Sequence, residues 1–439
     1  MRGTCAVRRR EHSNFSAEKY ACASKGTSSF VSDILISMSI KLIPPFQPRK
    51  KILRILYGSM FFFSFHVYIF LYVQSTFISK SVSENYLGLI YGVGAAISLL
   101  TLFYIPKIFG RISDRQLALT LISIEGLLCL ILAYSNFAWL TVLAFILQQA
   151  LVVVLSFAID VLIEDFSQNK DVGMVRGLTF TAGNIALVIS PLLAGYIGSK
   201  YGFGTIFFLS ILFLVPFFIM IFSLRRNLHE PTYHSQSILT TIRRLRSSYS
   251  EQSRNITLIF MINFLLQFFY TWIIIYSPLY MIHQGFNWDQ IGLIFSIMLL
   301  PFLFLELPLG RYAGVWFSEK EFLAIGFVIM SLSTMSLAFI SSPSIVVWAI
   351  ALLMTRVGAS CVEIMSEIYF FKLIKKTDTP LISLFRFTRP LSLLVAPIAA
   401  VFTIMVVGEA GAFLVLGLIL LTGLKFVYAL GASHHEAVA

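Results

Sequence analysis

Large polar side chains stand near the middle of several long apolar runs, where they are candidates for contact with a solute. Four of them are His66, Gln149, Gln267 and Arg356. A charged side chain at the centre of a membrane-spanning helix costs about 2.5–3.5 kcal/mol, so such a residue needs a partner or an aqueous cavity. For any one of the four, a hydrogen bond between helices is at least as good an explanation as contact with a solute.

Arg356 has the most specific chemistry of the four. Its planar guanidinium fork suits an anionic group of a solute, and a fixed ion pair with an acid such as Glu306 explains it equally well. Glu363 and Glu367 follow seven and eleven residues later, on nearly the same face of a helix. This spacing predicts a polar path from Arg356 toward the cytoplasm.

Two further groups of residues extend the candidate site. Asn184 and Trp272 complete the cavity candidates, although ordinary packing explains an aromatic wall equally well. Proton coupling would need a group that titrates during a reaction cycle, and the candidates are His66, Glu306 and Glu363. Glu125 also lies in an apolar run, and the sequence offers no partner for it.

The elements that must position these residues are membrane-spanning helices. Hydrophobic residues are 58% of the 439, charged residues are 12%, and mean hydropathy is +0.85, which excludes a water-soluble domain. A helix needs about 20 apolar residues to cross a core of roughly 30 Å. Twelve such spans are predicted, at about 52–74, 86–108, 116–135, 138–162, 176–199, 203–224, 256–282, 288–309, 321–341, 344–371, 382–407 and 410–431. The expected fold is an all-α polytopic membrane protein.

The distribution of basic residues predicts the orientation. The net charge of +12 comes from residues that border apolar runs, so it reports topology, and no nucleic-acid partner is expected. One set of loops holds only Lys80 and Lys200. The opposite side holds Lys41, Arg49, Lys50, Lys51, Arg54, Lys107, Arg111, Arg115, Arg225, Arg226, Arg243, Arg244, Arg246, Arg254, Arg311, Lys320, Lys372, Lys375 and Lys376. The positive-inside rule then places both termini in the cytoplasm.

Composition divides the chain into five segments. We expect a cytoplasmic tail over 1–50, six spans over 51–224, a basic linker over 225–255, six further spans over 256–431, and a tail over 432–439. Residues 1–37 are polar and resemble nothing that follows, so we expect the native chain to begin at Met38. Within the linker, "SILTTIRRLRSS" predicts a short amphipathic helix at the membrane surface. The four cysteines lie far apart, so no disulfide framework, metal site or cofactor is expected.

The two sets of six spans are related by a shift of about 200 residues. The polar landmarks recur in order, which chance similarity between apolar segments does not explain. They are Gly110-Arg111 with Gly310-Arg311, Asp160 and Glu164 with Glu363 and Glu367, and Pro191 with Pro397. A parallel duplication predicts two pseudo-symmetric six-helix bundles, with a substrate site between them at the bilayer midplane.

The hairpin "FGRISDRQ" at 109–116 resembles the loop between the second and third helices of the major facilitator superfamily of secondary transporters. The family pattern is Gly-x-x-x-Asp-Arg-x-Gly-Arg-Arg, and Gly110, Asp114 and Arg115 match it. Residues 117–119 depart from its end, which puts a salt bridge from the later arginines in doubt. The second copy keeps Gly310 and has Gly314 at the acidic position.

The fifth span resembles a degenerate form of the family's antiporter motif, Gly-x8-Gly-x3-Gly-Pro-x2-Gly-Gly. Gly177, Pro191 and Gly195 match it, and other small residues replace further glycines. Small residues at this spacing also let helices pack closely whatever the direction of transport. Export is therefore one interpretation and simple packing is the other.

The resemblance implies roles for the polar residues. In the family, the first, fourth, seventh and tenth helices line the central cavity, and these spans carry His66, Gln149, Gln267 and Arg356. It also implies a cytoplasmic gate, with plain solubilisation of the turn as the alternative. The gating candidates are Gly110, Asp114, Arg115, Asp160, Glu164, Arg176, Glu367 and Arg386.

These observations predict a secondary transporter that moves a small organic solute by alternating access and is coupled to protons, with export as one interpretation of its fifth span. We expect a monomer in the plasma (inner) membrane, whose partners are the solute, protons and the lipid bilayer. The alternatives are a transporter-like sensor or scaffold and a polytopic membrane enzyme. No convincing metal cluster, serine–base pair or nucleotide loop supports an enzyme.

Overall fold

A computed structural model describes residues 48–109, 114–166, 172–224, 243, 250–312, 318–374 and 379–431. Within these ranges the chain is helix, turn or short connection, and no β-strand occurs. The expected all-α fold is confirmed. The predicted tails, most of the linker with its amphipathic helix, and Met38 lie outside the described residues.

The first half of the chain contains seven helices within the described residues. They are α1 (Pro48–Leu71), α2 (Gln74–Ser79), α3 (Leu87–Phe109), α4 (Asp114–Tyr134), α5 (Ala138–Phe166), α6 (Val172–Tyr201) and α7 (Phe203–Ser223). A 3-10 turn, Glu84–Tyr86, precedes α3. These helices coincide with the first six predicted spans, α1 and α2 together forming the first.

The second half continues with nine helices in the part of the chain that the structure describes. They are α8 (Glu251–His283), α9 (Trp288–Met298), α10 (Leu300–Phe304), α11 (Glu306–Tyr312), α12 (Glu319–Ser336), α13 (Ile345–Leu373), α14 (Thr379–Arg386), α15 (Thr388–Leu421) and α16 (Gly423–Ala429). A 3-10 turn, Leu337–Phe339, follows α12. Eight helical segments of the described residues are long and apolar enough to cross a membrane.

Local sequence explains where several of these helices begin and break. Ser250 caps α8 by accepting from the Ser253 amide, so the helix starts before the predicted span. A capping box between Ser318 and Glu321 starts α12. Pro301 has no amide hydrogen to donate, and the eighth span breaks into α9, α10 and α11 around it.

Gly408 separates the eleventh and twelfth spans. The helix α15 runs across both, but Gly408 has φ 76°, a left-handed conformation that glycine adopts without steric cost. The segment from Leu384 to Ala429 has 46 residues, about twice what one crossing needs. The glycine therefore marks the turn between two crossings that the hydropathy pattern alone places only approximately.

The helices α6 and α9 join the two halves by a close crossing. A β-carbon added at Gly195 would lie 2.5 Å from the carbonyl oxygen of Trp288, and one at Gly292 would lie 2.5 Å from the carbonyl oxygen of Pro191. No real side chain fits at such distances, so the backbones of α6 and α9 are in direct contact. The small residues of the fifth span thus form a packing surface.

A second crossing joins the halves through α3 and α15. A β-carbon at Gly88 would lie 2.8 Å from the carbonyl oxygen of Pro397. The Tyr276 hydroxyl of α8 donates to the same carbonyl oxygen at 2.9 Å. We call the two crossings, α6 with α9 and α3 with α15, the glycine seams.

Candidate functional site

A group of polar side chains, the central polar cluster, lies where α6, α8, α11 and α13 approach one another. Its members are Asn184, Tyr270, Glu306, Arg356 and Glu363. The Asn184 amide donates to Glu306 Oε2 at 2.9 Å, and the Tyr270 hydroxyl donates to Glu363 Oε2 at 2.7 Å. Because Asn184 belongs to the first half and Glu306 to the second, the first of these bonds crosses between halves.

The aromatic ring of Tyr270 connects the members of the cluster. It packs edge-on against Phe302 with centroids 6.0 Å apart, and the Phe302 carbonyl oxygen accepts a second hydrogen bond from Asn184 at 3.1 Å. The Arg356 guanidinium lies 5.1 Å from the centroid of the same tyrosine ring. Helix α13 supplies both Arg356 and Glu363, which the spacing of seven residues places on one face.

Arg356 is 2% exposed and has no carboxylate partner among the described residues. Its guanidinium lies over Phe269 and Tyr270, 5.1 Å from each centroid, and its Nε and Nη2 atoms make no hydrogen bond. Glu306 is bonded to Asn184 instead, so the expected alternative of a fixed Arg356–Glu306 ion pair is wrong. The physical reason is that α11 turns Glu306 toward α6.

Toward the end of α13, Glu367 forms an ion pair with Arg386 at 2.8 Å. The sequence placed these two residues in the same gate, and the structure brings them together. With a rise of about 1.5 Å per residue, Glu367 lies about 16 Å along the helix from Arg356. The polar face of α13 therefore extends from a buried arginine to a partly exposed ion pair, as the spacing predicts.

The central polar cluster lies at the boundary between the two halves. The Asn184–Glu306 hydrogen bond crosses this boundary, and Tyr72, which directly follows α1, packs against Phe295 of α9 with ring centroids 4.9 Å apart. The duplication predicts a substrate site at this boundary. Tyr68 lies on α1, about one helical turn before Tyr72.

His66 is placed in a different polar network, inside the first half. The His66 ring is fully buried; its Nδ1 lies 3.1 Å from the Ser210 carbonyl oxygen and its Nε2 lies 3.1 Å from Glu125 Oε1. A carbonyl oxygen only accepts, so Nδ1 carries a hydrogen. Nε2 then either donates to an ionised Glu125 or accepts from a protonated one.

Three further side chains complete this network. The Gln148 amide donates to Glu125 Oε1 at 3.0 Å, the Gln74 amide donates to Gln148 Oε1 at 3.2 Å, and the Cys129 thiol lies 3.6 Å from the same Glu125 oxygen. Glu125, which the sequence left without a partner, is the acceptor on which the network converges. We call this set, with His66, the Glu125 network.

The other cavity candidates are dispersed. Gln149 is half-buried, and its Oε1 atom occupies the space that a β-carbon at Gly94 would need, so the side chain packs on α3. Gln267 is half-buried in α8. Trp272 is fully buried and lines a cavity of about 110 Å³ with Tyr276 and others, which lies between α8, α15 and the turn before α3.

Among the gating candidates, the structure describes the side chains of Arg115, Glu367 and Arg386. Gly110 lies outside the described residues, and Asp114, Asp160, Glu164 and Arg176 lie on helices at positions where only the backbone is described. Arg115 is described. Its Nη2 donates to the Phe222 carbonyl oxygen at 2.5 Å, and its guanidinium lies 5.0 Å from that ring, so it caps the end of α7.

A second polar group, which the sequence did not predict, joins the halves beside the cavity at Trp272 and consists of Glu84, His283 and Glu409. His283 Nδ1 lies 2.8 Å from Glu409 Oε1, and His283 Nε2 lies 3.5 Å from Glu84 Oε1. Each ring nitrogen faces a different carboxylate, so the imidazole lies between Glu84 and Glu409. These three residues lie far apart in the sequence, so no sequence pattern predicts that they meet.

Comparisons with known proteins agree with the helical architecture. The sequence model of the Major Facilitator Superfamily matches residues 56–377, more than half of the chain. A solved structure of a POT family transporter in complex with a thioalcohol-conjugated peptide has a TM-score of 0.68 at 13% identity, covering 86% of this chain and 95% of that one. A variant of the nucleoside transporter NupG has a TM-score of 0.70 at 12% identity, covering 87% and 100%. No curated protein matches in sequence. At such identities the structures show the shared fold alone.

Proposed function

This chain belongs to the Major Facilitator Superfamily, and from that membership we propose that it is a secondary active transporter that moves a small organic solute by alternating access. The observation that carries the proposal is the central polar cluster. It places two half-buried carboxyl groups and one buried arginine at the boundary between halves, and intramembrane ionisable residues of this kind mark substrate or ion pathways. Family membership favours transport over the membrane-enzyme alternative.

The Asn184–Glu306 hydrogen bond suggests how rocking of the halves is linked to proton binding. The bond joins α6 to α11, so it must break if the halves separate there. A carboxylate that loses its donor in an apolar region is costly unless it binds a proton. Release from Asn184 would therefore favour the protonated form of Glu306.

Glu363 is the second group for proton coupling in this proposal. It lies about 10 Å along α13 from Arg356, on the helix face that leads to Glu367, and accepts from Tyr270, whose ring contacts Arg356. Solute bound near Arg356 and a proton on Glu363 would therefore influence each other through Tyr270. His66, the remaining proton candidate, is enclosed in the Glu125 network, which supports a structural role for it instead.

We extend the proposal to the setting of the protein. It is a monomer in the plasma (inner) membrane with both termini in the cytoplasm, supported by the distribution of lysine and arginine. The multi-pass membrane location itself follows from the apolar helices and the family. The direction we propose is export. It rests on the small-residue pattern of the fifth span, and flux measured in both directions tests it.

Proteoliposomes with an imposed pH gradient test the function. We expect the gradient to drive the flux of at least one solute from a panel of sugars, nucleosides, peptides and organic anions. Glu306→Gln and Glu363→Gln should each abolish gradient-driven accumulation while solute exchange persists. Glu321→Gln is the matched control, because glutamine preserves the α12 capping box. Binding without any flux would favour the sensor or scaffold alternative.

A further inference from the structure

The guanidinium of Arg356 is a buried cation for which the described residues provide no anion. Its two ring contacts, with Phe269 and Tyr270, are attractive, but an aromatic face does not replace a carboxylate for a desolvated charge. The two nearby acids are already engaged: Glu306 accepts from Asn184, and Glu363 accepts from Tyr270. The site therefore has a strong donor group and lacks its acceptor.

The unpartnered atoms of Arg356 are the informative ones. Nε and Nη2 are both buried and make no hydrogen bond. In a guanidinium, the Nε–H and one Nη2–H point in the same direction along one edge, where they can donate two parallel hydrogen bonds. A planar carboxylate presents two oxygens at the matching spacing, which makes this edge a bidentate carboxylate fork.

The position of Arg356 fits contact with a solute. It lies against the Tyr270 ring, which packs on Phe302, and the Phe302 carbonyl oxygen accepts from Asn184 of the first half. A group bound at Arg356 would thus lie near the contact between the two halves. That is where an alternating-access carrier must hold its solute.

We propose that the Nε–Nη2 edge of Arg356 binds a carboxylate group of the transported solute, so that the substrates are organic carboxylates. That the bound carboxylate is a transported substrate rests on the proposed function, whereas the carboxylate-binding site itself does not depend on transport. Phe269 and Tyr270 hold the guanidinium plane, and the solute supplies the missing acceptor.

Thermal unfolding of the purified full chain tests the site. The probes are N-acetylated amino acids, short peptides and aromatic monocarboxylates, each paired with its methyl ester, together with inorganic phosphate and sulfate. We expect the stabilising probes to be free carboxylates and their methyl esters to be inactive. Arg356→Met should weaken that response by at least about 100-fold, because two charge-assisted hydrogen bonds are lost. Arg254→Met, which removes an exposed arginine, should leave it unchanged.

Arg356→Lys tests whether the two parallel donors, and not the positive charge alone, are needed to bind the carboxylate. Lysine retains a cation and loses the two parallel donors, so a reduced carboxylate response is expected. An undiminished response would overturn the fork. So would stabilisation by methyl esters, equal stabilisation by phosphate or sulfate, or a carboxylate response that Arg356→Met retains.

The ligand-free protein tests the proposal even if no probe stabilises it. Removing an unpaired buried charge should raise the unfolding temperature of Arg356→Met above that of the native chain. A lower temperature, or failure to fold, would identify Arg356 as a structural counter-ion and overturn the proposal. Carboxylate binding without flux would instead contradict the proposed transport function. Gradient-driven flux of a neutral solute that Arg356→Met leaves intact would contradict the carboxylate site alone.

Discussion

Glu125 shows how a single buried residue determines its surroundings. Its Oε1 atom is approached by His66 and Gln148, and both of those side chains are fully buried. Such a network is stable when its members are satisfied, and costly when one of them is removed. The network lies within the first half, so it can hold those helices together as the halves rock.

Glu125→Leu should therefore destabilise the protein by about 3 kcal/mol, because it leaves the His66 ring and the Gln148 amide without their acceptor. Glu125→Gln retains an oxygen acceptor and should lose less. Thermal unfolding in detergent measures both variants. Equal losses for the leucine and glutamine variants would contradict a role for the oxygen acceptor.

Tyr270→Phe tests the central polar cluster at the level of one oxygen atom. The change removes the donor to Glu363 and keeps the ring against Arg356 and Phe302. We expect gradient-driven flux to fall by about 10-fold while unfolding temperature changes little, since one hydrogen bond to a charged group is lost. Flux in proteoliposomes measures this, and an unchanged rate would remove Glu363 from the proton pathway. Tyr428→Phe is the matched control, because the Tyr428 side chain is exposed at the end of the chain's last described helix.

The residue scale is where the sequence is least predictive. Gln148 and Gln149 are neighbours, but successive residues point about 100° apart around a helix. Gln148 enters the Glu125 network, and Gln149 packs on Gly94. Because α5 is apolar on all sides, its pattern does not show which glutamine faces inward. The four mid-span residues were recognisable as unusual, but their partners were not.

At the scale of elements, the glycine seams hold the halves together. The α6–α9 crossing depends on Gly195 and Gly292, each facing a backbone carbonyl. Close backbone approach of this kind is a general device of helix packing in membranes. It also explains why the fifth span resembles an antiporter motif, whatever the direction of transport.

Gly292→Val should separate α6 from α9 and slow transport by at least about 10-fold, while the protein still inserts and folds. Gly126→Val is the matched control, because a β-carbon at Gly126 meets nothing within 4 Å. Flux and labelling of cysteines introduced beside the seam measure the effect. Equal rates for the two variants would show that the crossing is dispensable.

The group around His283 should contribute little to overall stability. Its side chains are between 36% and 43% exposed, and exposed ion pairs contribute about 0–1 kcal/mol. We therefore expect His283→Gln to change the free energy of unfolding by less than about 1 kcal/mol. Thermal unfolding at low and high salt measures it. A larger loss that salt does not reduce would mean that the group is shielded from water in the membrane.

Elements were predictable where composition alone decides them. Each predicted span overlaps a helix, because about 20 apolar residues have few other solutions in a bilayer. The breaks were not predictable. Pro301 divides the eighth span, and Gly408 turns the chain without any polar loop, so hydropathy shows neither.

At the scale of the whole molecule, the orientation is the main open prediction. Cysteine introduced at Asn136 or Ser341 should react with an impermeant thiol reagent from outside the cell, and Arg254→Cys should react only after permeabilisation. The reason is the strong bias of lysine and arginine toward one side. Labelling of intact cells measures it, in a background lacking Cys5 and Cys22. The reverse pattern would invert the topology.

The duplication was predictable because polar landmarks repeat, whereas the contacts between the two halves were not. Only the folded chain shows that Asn184 meets Glu306, since the two residues are 122 positions apart. No periodicity relates them. Sequence therefore identified the architecture and a list of unusual residues, and three-dimensional structure selected the ones that meet.

The glycine seams affect what water encounters when the halves part. Glycine has no side chain to bury, so opening a seam uncovers peptide groups, including the carbonyl oxygens of Pro191, Trp288 and Pro397, together with a few apolar side chains such as Ile398 and Val401. Water can hydrogen-bond to the carbonyl oxygens, whereas interdigitated leucine side chains would expose only apolar surface. The contact is thus tight when closed and wettable when open, which allows it to separate and close again at low cost.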